Sequence, residues 1–239
     1  MDFVKYMISF IVPFRNNRSH LLQSFLKQVV AYYKDFEIII AQQDDDKPFM
    51  RGQLCNLGYK RSKGSLVVFS DVDIMFLDYI DFEGGMEKLQ HPFICYKAIH
   101  KADKNGNVRT STHGGKSVGG LNCFTREQFE ACGGFSNLCV GYGTEDRILN
   151  VRAKFKRTEN AIAHIKHEKQ PQDKELIAAN KEIFRTLNKR PVITDSFLQT
   201  VALKESACYT SDTLTFYLFE NITVTPDFAY PQLLKGRTQ

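Results

Sequence analysis

An α/β fold, with a mixed but mostly parallel sheet flanked by helices, is what this 239-residue sequence predicts, and three observations carry the prediction. Short apolar strands alternate with helix-patterned segments from the amino terminus onward. The strands are continuous apolar runs, as expected when both faces of a sheet are covered. Polar and charged residues gather just past each strand, at 15–18, 42–46 and 71–73, where open parallel sheets hold their ligands.

Residues 7–14 read as a buried strand ended by Pro13, after which Ser19 offers an N-cap to a helix. Leu21, Leu22, Phe25, Leu26, Val29, Val30 and Tyr33 recur at helical spacing and give that helix one apolar stripe. Residues 36–41 form a second apolar strand, 53–63 a helix closed by Gly64 as a C-cap, and 66–70 a third strand. Between 99 and 120 the chain is polar and glycine-rich, too long for an ordinary connection, so it reads as a mobile lid. Thr125 and Gln128 make a capping box for a helix that Gly133 and Gly134 end. Thr144 caps a further helix running to about residue 157. A short strand at 161–167, a helix at 174–187 and β segments within 197–225, around a turn near Ser211 and Asp212, complete the pattern. The organisation expected is a core at 1–170 with a small carboxyl-terminal extension, a helix and β segments at 171–239, packed on it.

Composition narrows the function. Apolar residues at 43% and charged residues at 25% are those of an ordinary globular chain with one substantial core. The apolar run at 7–14 is too brief for a membrane span or a signal sequence. Six cysteines without a CxxC pair read as reduced thiols and so as a cytoplasmic setting, which leaves the sequons at Asn17 and Asn221 unused. A net charge of +5 with no basic run interleaved with aromatics argues against nucleic acid. The clusters Lys189-Arg190 and Lys235-Gly236-Arg237 are compatible with peripheral contact to the inner face of an anionic membrane, although a solvated face accounts for them better.

The chemistry centres on Asp71-Val72-Asp73, where an apolar strand delivers two carboxylates two residues apart. Strand alternation would put both on one side, one for a divalent cation and the other for a sugar or ribose hydroxyl. Short acidic pairs also merely solvate strand ends, so further ligands are needed. His164 and His167, three residues apart beside an apolar stretch, supply imidazoles that suit manganese better than magnesium. Either histidine alone is more often an ordinary half-buried residue. Glu145 and Asp146 follow the loop Gly141-Tyr142-Gly143-Thr144 in the first turn of a helix, where acidic residues commonly meet the helix dipole. The same placement suits a general base for an attacking hydroxyl.

In order along the chain, residues 11–16, 49–52, 69–73, 119–120 and 141–146 resemble the beta-1,4-galactosyltransferase family and its bacterial relatives over roughly residues 11–167. The resemblance implies a GT-A fold, a UDP-sugar donor, manganese dependence and inversion at the anomeric carbon. It assigns Pro13, Phe14 and Arg15 to the uridine side, and Phe49 and Arg51 to further nucleotide and diphosphate contacts. Asp71 and Gly120 would meet the donor sugar. Asp73 and His167 would be metal ligands, with His164 at a position usually held by another. Tyr142 replaces a tryptophan, and Glu145 and Asp146 correspond to the acceptor-binding and base carboxylates. Asn17 displaces the family's second arginine to Arg18, and Thr144 and Arg147 interrupt its glycine and acidic run. Ser117 stands where galactose-specific members carry tyrosine, which implies room for an N-acetyl group.

The function expected is inverting transfer of a hexose or N-acetylhexosamine, galactose or N-acetylgalactosamine, to a glycan or lipid-linked glycan in bacterial surface-polysaccharide synthesis. Two alternatives remain. A sugar-nucleotide nucleotidyltransferase would want a glycine-rich triphosphate loop after the first strand, and residues 13–18 contain no glycine. A catalytically inactive glycan- or nucleotide-binding module would keep the fold and lose turnover.

Overall fold

The computed structural model describes residues 6–15, 18–96, 98–103, 105–109, 119–141, 143–167, 173–188, 203–211 and 214–221. In chain order they form β1 (Ile8–Phe14), α1 (Ser19–Tyr32), β2 (Phe36–Gln43), α2 (Arg51–Arg61), β3 (Leu66–Ser70) and β4 (Ile74–Phe76). There follow α3 (Phe82–Leu89), β5 (Phe93–Ile94), β6 (Ala98–Ala102), β7 (Val108–Arg109), β8 (Leu121–Thr125) and α4 (Arg126–Ala131). The remainder comprises α5 (Glu145–Ala153), β9 (Lys156–Arg157), β10 (Ala161–Ile165), α6 (Lys174–Asn188), β11 (Leu203–Ser211) and β12 (Leu214–Asn221).

The main sheet has the order β11-β12-β2-β1-β3-β8-β5-β9, and its central strands β12, β2, β1 and β3 are parallel. A second sheet, β4-β10-β6-β7, stands beside it. Alternation along β1 explains why both faces of the main sheet are covered. Ile8, Phe10, Val12 and Phe14 pack with Leu21, Phe25 and Val29 of α1 and with Phe82 and Met86 of α3. Ile11 enters a separate aromatic cluster of Tyr59, Phe69, Phe124, Phe129 and Phe135. Each such side chain taken fully out of water contributes about 1.5–3 kcal/mol, so β1 anchors both layers.

Several expectations about boundaries are corrected. Pro13 does not end the first strand, since β1 pairs with β2 as far as Phe14 and Gln42. Its pairing with β3 stops at Ile11, and a proline is tolerated where one flank is unpaired. Ser19 is the first helical residue and not the cap: the Arg18 N–H already bonds Arg15 O at 3.0 Å, and no side chain caps α1. Gly64 does not cap α2, which ends at Arg61 with Ser62 bonded back to Tyr59 O. Gly64 lies against β1 instead. Part of the expected lid is regular structure, because β6 and β7 pair as a hairpin whose turn is closed by the Asp103 carboxylate accepting from Asn105 and Asn107. Residues 110–118 of that segment lie outside the described residues. Finally α5 stops at Ala153, where Lys154 turns left-handed, and Lys156–Arg157 pair with β5.

The capping box at Thr125 and Gln128 is present. Near the carboxyl terminus, β12 continues the central sheet, running parallel to β2 from Leu214 opposite Ile38 to Phe219 opposite Gln43. The helix α6 buries Leu176 against Met50, Leu54 and Val140, and Ile183 against Leu138, Cys139 and Ile148. All six cysteines are free, and Cys208 alone among them is exposed. No helix among the described residues is long and apolar enough to cross a membrane. Both basic clusters, at 189–190 and 235–237, fall outside the described residues.

A Cβ on Gly64 would lie 2.5 Å from Ser9 Oγ and 2.6 Å from Met7 O, so any side chain there forces α2 and β1 apart. Gly64→Ala is expected to lower the unfolding free energy by about 1–3 kcal/mol in urea titrations. An unchanged midpoint would show that this junction yields.

Candidate active site

The chain turns immediately after β3. The Asp71 N–H donates to Gly120 O at 2.8 Å and the Ile74 N–H to Asp71 O at 3.2 Å. Asp71 and Asp73 therefore leave a turn and not an extended strand, and they face different partners. Asp73 is sunk, with its side chain 3% exposed, and its Oδ2 meets His167 Nε2 at 2.7 Å, His164 Nε2 at 3.2 Å and Arg18 Nη1 at 3.2 Å. The Ile165 N–H holds Asp73 O at 2.8 Å and so pins β10 to the turn. Because β10 ends at Ile165, His167 is free of strand alternation and comes round beside His164, ring centroids 5.6 Å apart.

These three side chains fit one metal ion. One ligand atom from each lies within 4.8 Å of the others, and Asp73 Oδ1 is buried with no hydrogen-bond partner among the described residues. A carboxylate with two imidazoles is a donor set for a borderline divalent ion. Burial alone would raise the Asp73 pKa, but hydrogen bonds from His164 and His167 and the Arg18 charge outweigh it and hold the carboxyl well below the usual range. The same hydrogen bond to Asp73 raises the His164 pKa against its burial. Arg18, the arginine displaced by Asn17, thus lies against the carboxylate.

A buried guanidinium organises the other half of the site. Arg51 at the start of α2 donates from Nε to Asp71 Oδ1 at 2.8 Å and from Nη1 to Asp146 Oδ1 at 2.8 Å. Glu145 Oε1 is 3.8 Å away, and the Phe135 ring lies under the guanidinium at 5.5 Å. Arg51 was expected to face diphosphate; two of its three nitrogens are instead committed to carboxylates, leaving Nη2 buried and unpaired among the described residues. Glu145 is buried, and desolvation together with Asp146 pushes its carboxyl up to about 7 despite Arg51. Desolvation likewise raises Asp71 more than Arg51 lowers it. Asp146 keeps 26% of its side chain exposed, so it is the open carboxylate of the pair.

On the side the sequence assigns to the nucleotide, Arg15 sits over the Phe49 ring at 5.3 Å and also contacts Lys47 O, and its Nε is buried and unpaired among the described residues. Burial lowers the Arg15 pKa, opposed by Asp45 and Asp46. Phe14 does not offer a wall there, because its side chain is 2% exposed inside the main core. Pro13 is buried beside it. Gly120, at φ +94, lies next to Asp71, and a Cβ on Gly119 would sit 2.0 Å from Asp146 Oδ2. Ser117 and Tyr142 fall outside the described residues. Sequence reasoning missed Phe135, the Arg18–Asp73 pair and the carboxylate role of Arg51. Only the glycine pair at 119–120 carried a visible signal, that of close backbone approach.

The fold is that of the GT-A class of glycosyltransferases. Drosophila beta-1,4-galactosyltransferase 7, solved as a mutant in complex with manganese, UDP-Gal and xylobiose, superposes with a TM-score of 0.66 at 18% identity, over 94% of this chain and 98% of that one. GalNAc-T7 with UDP, GalNAc and Mn2+ superposes at 0.54 with 12% identity, over 77% and 50%. The family model for the N-terminal region of glycosyl transferase group 7 matches residues 3–82, and that for the N-terminal domain of galactosyltransferase matches 103–171. Together these take in more than half of the chain, which belongs to the glycosyltransferase group 7 family. Human beta-1,4-galactosyltransferase 6 is 30% identical over 158 residues, 63% of this chain and 39% of the relative. Human beta-1,4-galactosyltransferase 4 is 28% identical over 160 residues, 63% and 43%. A Lymnaea stagnalis beta-N-acetyl-D-glucosaminide beta-1,4-N-acetylglucosaminyl-transferase is 28% identical over 166 residues, 64% and 32%. The chain thus spans under half the length of these curated relatives.

The raised Glu145 pKa sets a pH dependence. Folding favours its protonated form, so the stability it contributes is complete below the ordinary value of 4.5 and is lost as pH rises through about 7. Glu145→Gln, which cannot ionise, is expected to flatten the decline in unfolding free energy between those values and to be no less stable than the parent at pH 8. Denaturant titrations at pH 5 and pH 8 read this directly, and parallel pH curves for the two proteins would refute it.

Proposed function

We propose that this chain is a manganese-dependent inverting glycosyltransferase that moves a hexose or N-acetylhexosamine, galactose or N-acetylgalactosamine, from a UDP-sugar to a glycan hydroxyl. The observation that carries the reading is the convergence of Asp73, His164 and His167 beside Asp71 in a chain of this family. A divalent ion held by those three supplies a Lewis acid to the diphosphate leaving group, and manganese suits the two imidazoles better than magnesium does. The Arg15–Phe49 stack provides a cationic, aromatic surface for the uridine end of the donor. Asp71 lies where a donor hydroxyl can be bound, its N–H held by Gly120 O. Asp146 accepts the acceptor proton as the hydroxyl oxygen attacks the anomeric carbon from the face opposite the departing diphosphate. Arg51 fixes the orientation of Asp146 while Glu145, whose acid form is favoured by burial, can donate to the acceptor.

The finer setting belongs to the same proposal: a glycan or lipid-linked glycan acceptor, in bacterial surface-polysaccharide synthesis at the inner face of the membrane. Six free thiols support a reducing compartment. The Lymnaea relative, named for N-acetylglucosaminyl transfer, supports a donor choice that varies among similar proteins. Ser117 in place of tyrosine supports space for an N-acetyl group, and competition between UDP-GalNAc and UDP-Gal, before and after Ser117→Tyr, tests it. An inactive binding module would bind UDP with manganese and turn nothing over.

His167→Ala is expected to weaken manganese binding by about 10- to 100-fold or more, and UDP binding with it, as followed by calorimetry. Metal affinity equal to the parent's would remove His167 from the site. Asp146→Asn should lower turnover by about 10²- to 10⁴-fold while UDP still binds. Gly119→Ala, which displaces the same carboxylate without altering its charge, should lower turnover in the same direction with little change in thermal midpoint. Near-normal rates in both variants would exclude Asp146 as the base.

A further inference from the structure

The loop that leads into α5 is held from a helix outside both matched family regions. Asn180, on α6 and fully buried, brackets one residue of that loop: the Val140 N–H donates to Asn180 Oδ1 at 3.2 Å, and Asn180 Nδ2 donates to Val140 O at 2.8 Å. Thr144 Oγ1 donates to Asn180 O at 3.2 Å and lies 3.5 Å from Cys139 Sγ. Thr144 is a β-branched residue at φ +79, a conformation that persists only where surrounding contacts impose it. On its other side the loop is tied to the nucleotide half of the site, since the Gly141 N–H donates to Phe49 O at 2.9 Å. Leu176 of α6 closes over Gly141, where a Cβ would meet its Cδ1 at 3.3 Å. Directly after Thr144 come Glu145 and Asp146, and Thr144 O accepts the Ile148 N–H that opens the helix.

We propose that Asn180 is a positioning residue for the acceptor side of the site, fixing through Val140 and Thr144 the loop from which α5 presents Glu145 and Asp146. The proposal rests on the glycosyltransferase reading. An amide is suited to this task because it supplies one donor and one acceptor to a single peptide unit, which no apolar or charged side chain of similar size does. Buried, both bonds resist exchange with water, so the loop has one setting while the acceptor hydroxyl is placed.

The test uses the full chain with Asn180→Ala, Thr144→Val and the conservative Thr144→Ser, read by hydrogen exchange of the 138–144 segment, calorimetry with UDP and manganese, and transfer kinetics. Asn180→Ala is expected to speed exchange in that segment by about 10-fold or more, with α2 remaining protected. The affinity for UDP with manganese should stay within about two-fold, while kcat over the acceptor KM falls by about 10-fold or more. Thr144→Val, the milder change should Asn180→Ala fail to fold, is expected to move the same readouts in the same direction, and Thr144→Ser to restore them. Unchanged exchange in the loop, equal losses in donor and acceptor parameters, or Thr144→Val behaving as the parent would each overturn the proposal. Failure of the unmodified chain to bind UDP with manganese would instead strike the glycosyltransferase reading, and the exchange data would still decide whether Asn180 holds the loop.

Discussion

The site depends on one buried cation. Arg51 joins the turn after β3, through Asp71, to the start of α5, through Asp146, and rests on Phe135 between them. A buried guanidinium is tolerable only when its charge is matched, and three carboxylates surround this one. Two of them, Asp71 and Asp146, make direct hydrogen bonds; Glu145 stands further off and its acid form is favoured. The arrangement explains why Gly52, one residue on, has no side chain: a Cβ there would meet Ser136 O at 2.8 Å and Phe135 Cβ at 3.3 Å, and α2 could not bring Arg51 so close.

The two halves of the site are separated by electrostatic role. Asp73 gathers His164, His167 and Arg18, and is held as a carboxylate by them. Asp71 and Glu145, pressed into a poorly solvated region around Arg51, are biased the other way. Two aspartates two positions apart can differ this much because the chain turns between them and burial and partners act locally. A carboxylate held ionised and carboxyls biased toward the acid form can then adjoin one another.

Much of this was legible in the sequence, for identifiable reasons. Residues 66–73 announce a buried strand with acidic residues at its end, and the three-residue spacing of His164 and His167 signals a pair, so the convergence around Asp73 could be anticipated from residue types. The reason both histidines point inward could not, since it depends on β10 ending at Ile165. Arg51 and Asp146 are 95 residues apart, and nothing local to either names the other. Asn180 is still less visible, because an asparagine inside an apolar helical stripe has the same appearance whether it faces water or brackets a peptide. Gly64 showed the reverse error: a glycine after a helix suggested a cap, and its actual constraint is a neighbouring strand.

The placement of β12 beside β2 has a kinetic consequence. Ile38 through Gln43 pair with Leu214 through Phe219, so one flank of a central strand is completed by a segment made late in synthesis. Contacts this distant in sequence raise the contact order and slow the search for the native topology. Until they form, β2 presents an open row of backbone donors and acceptors along an apolar strand, the kind of edge on which nascent chains associate. The step that completes the sheet is thus also the step that covers this edge.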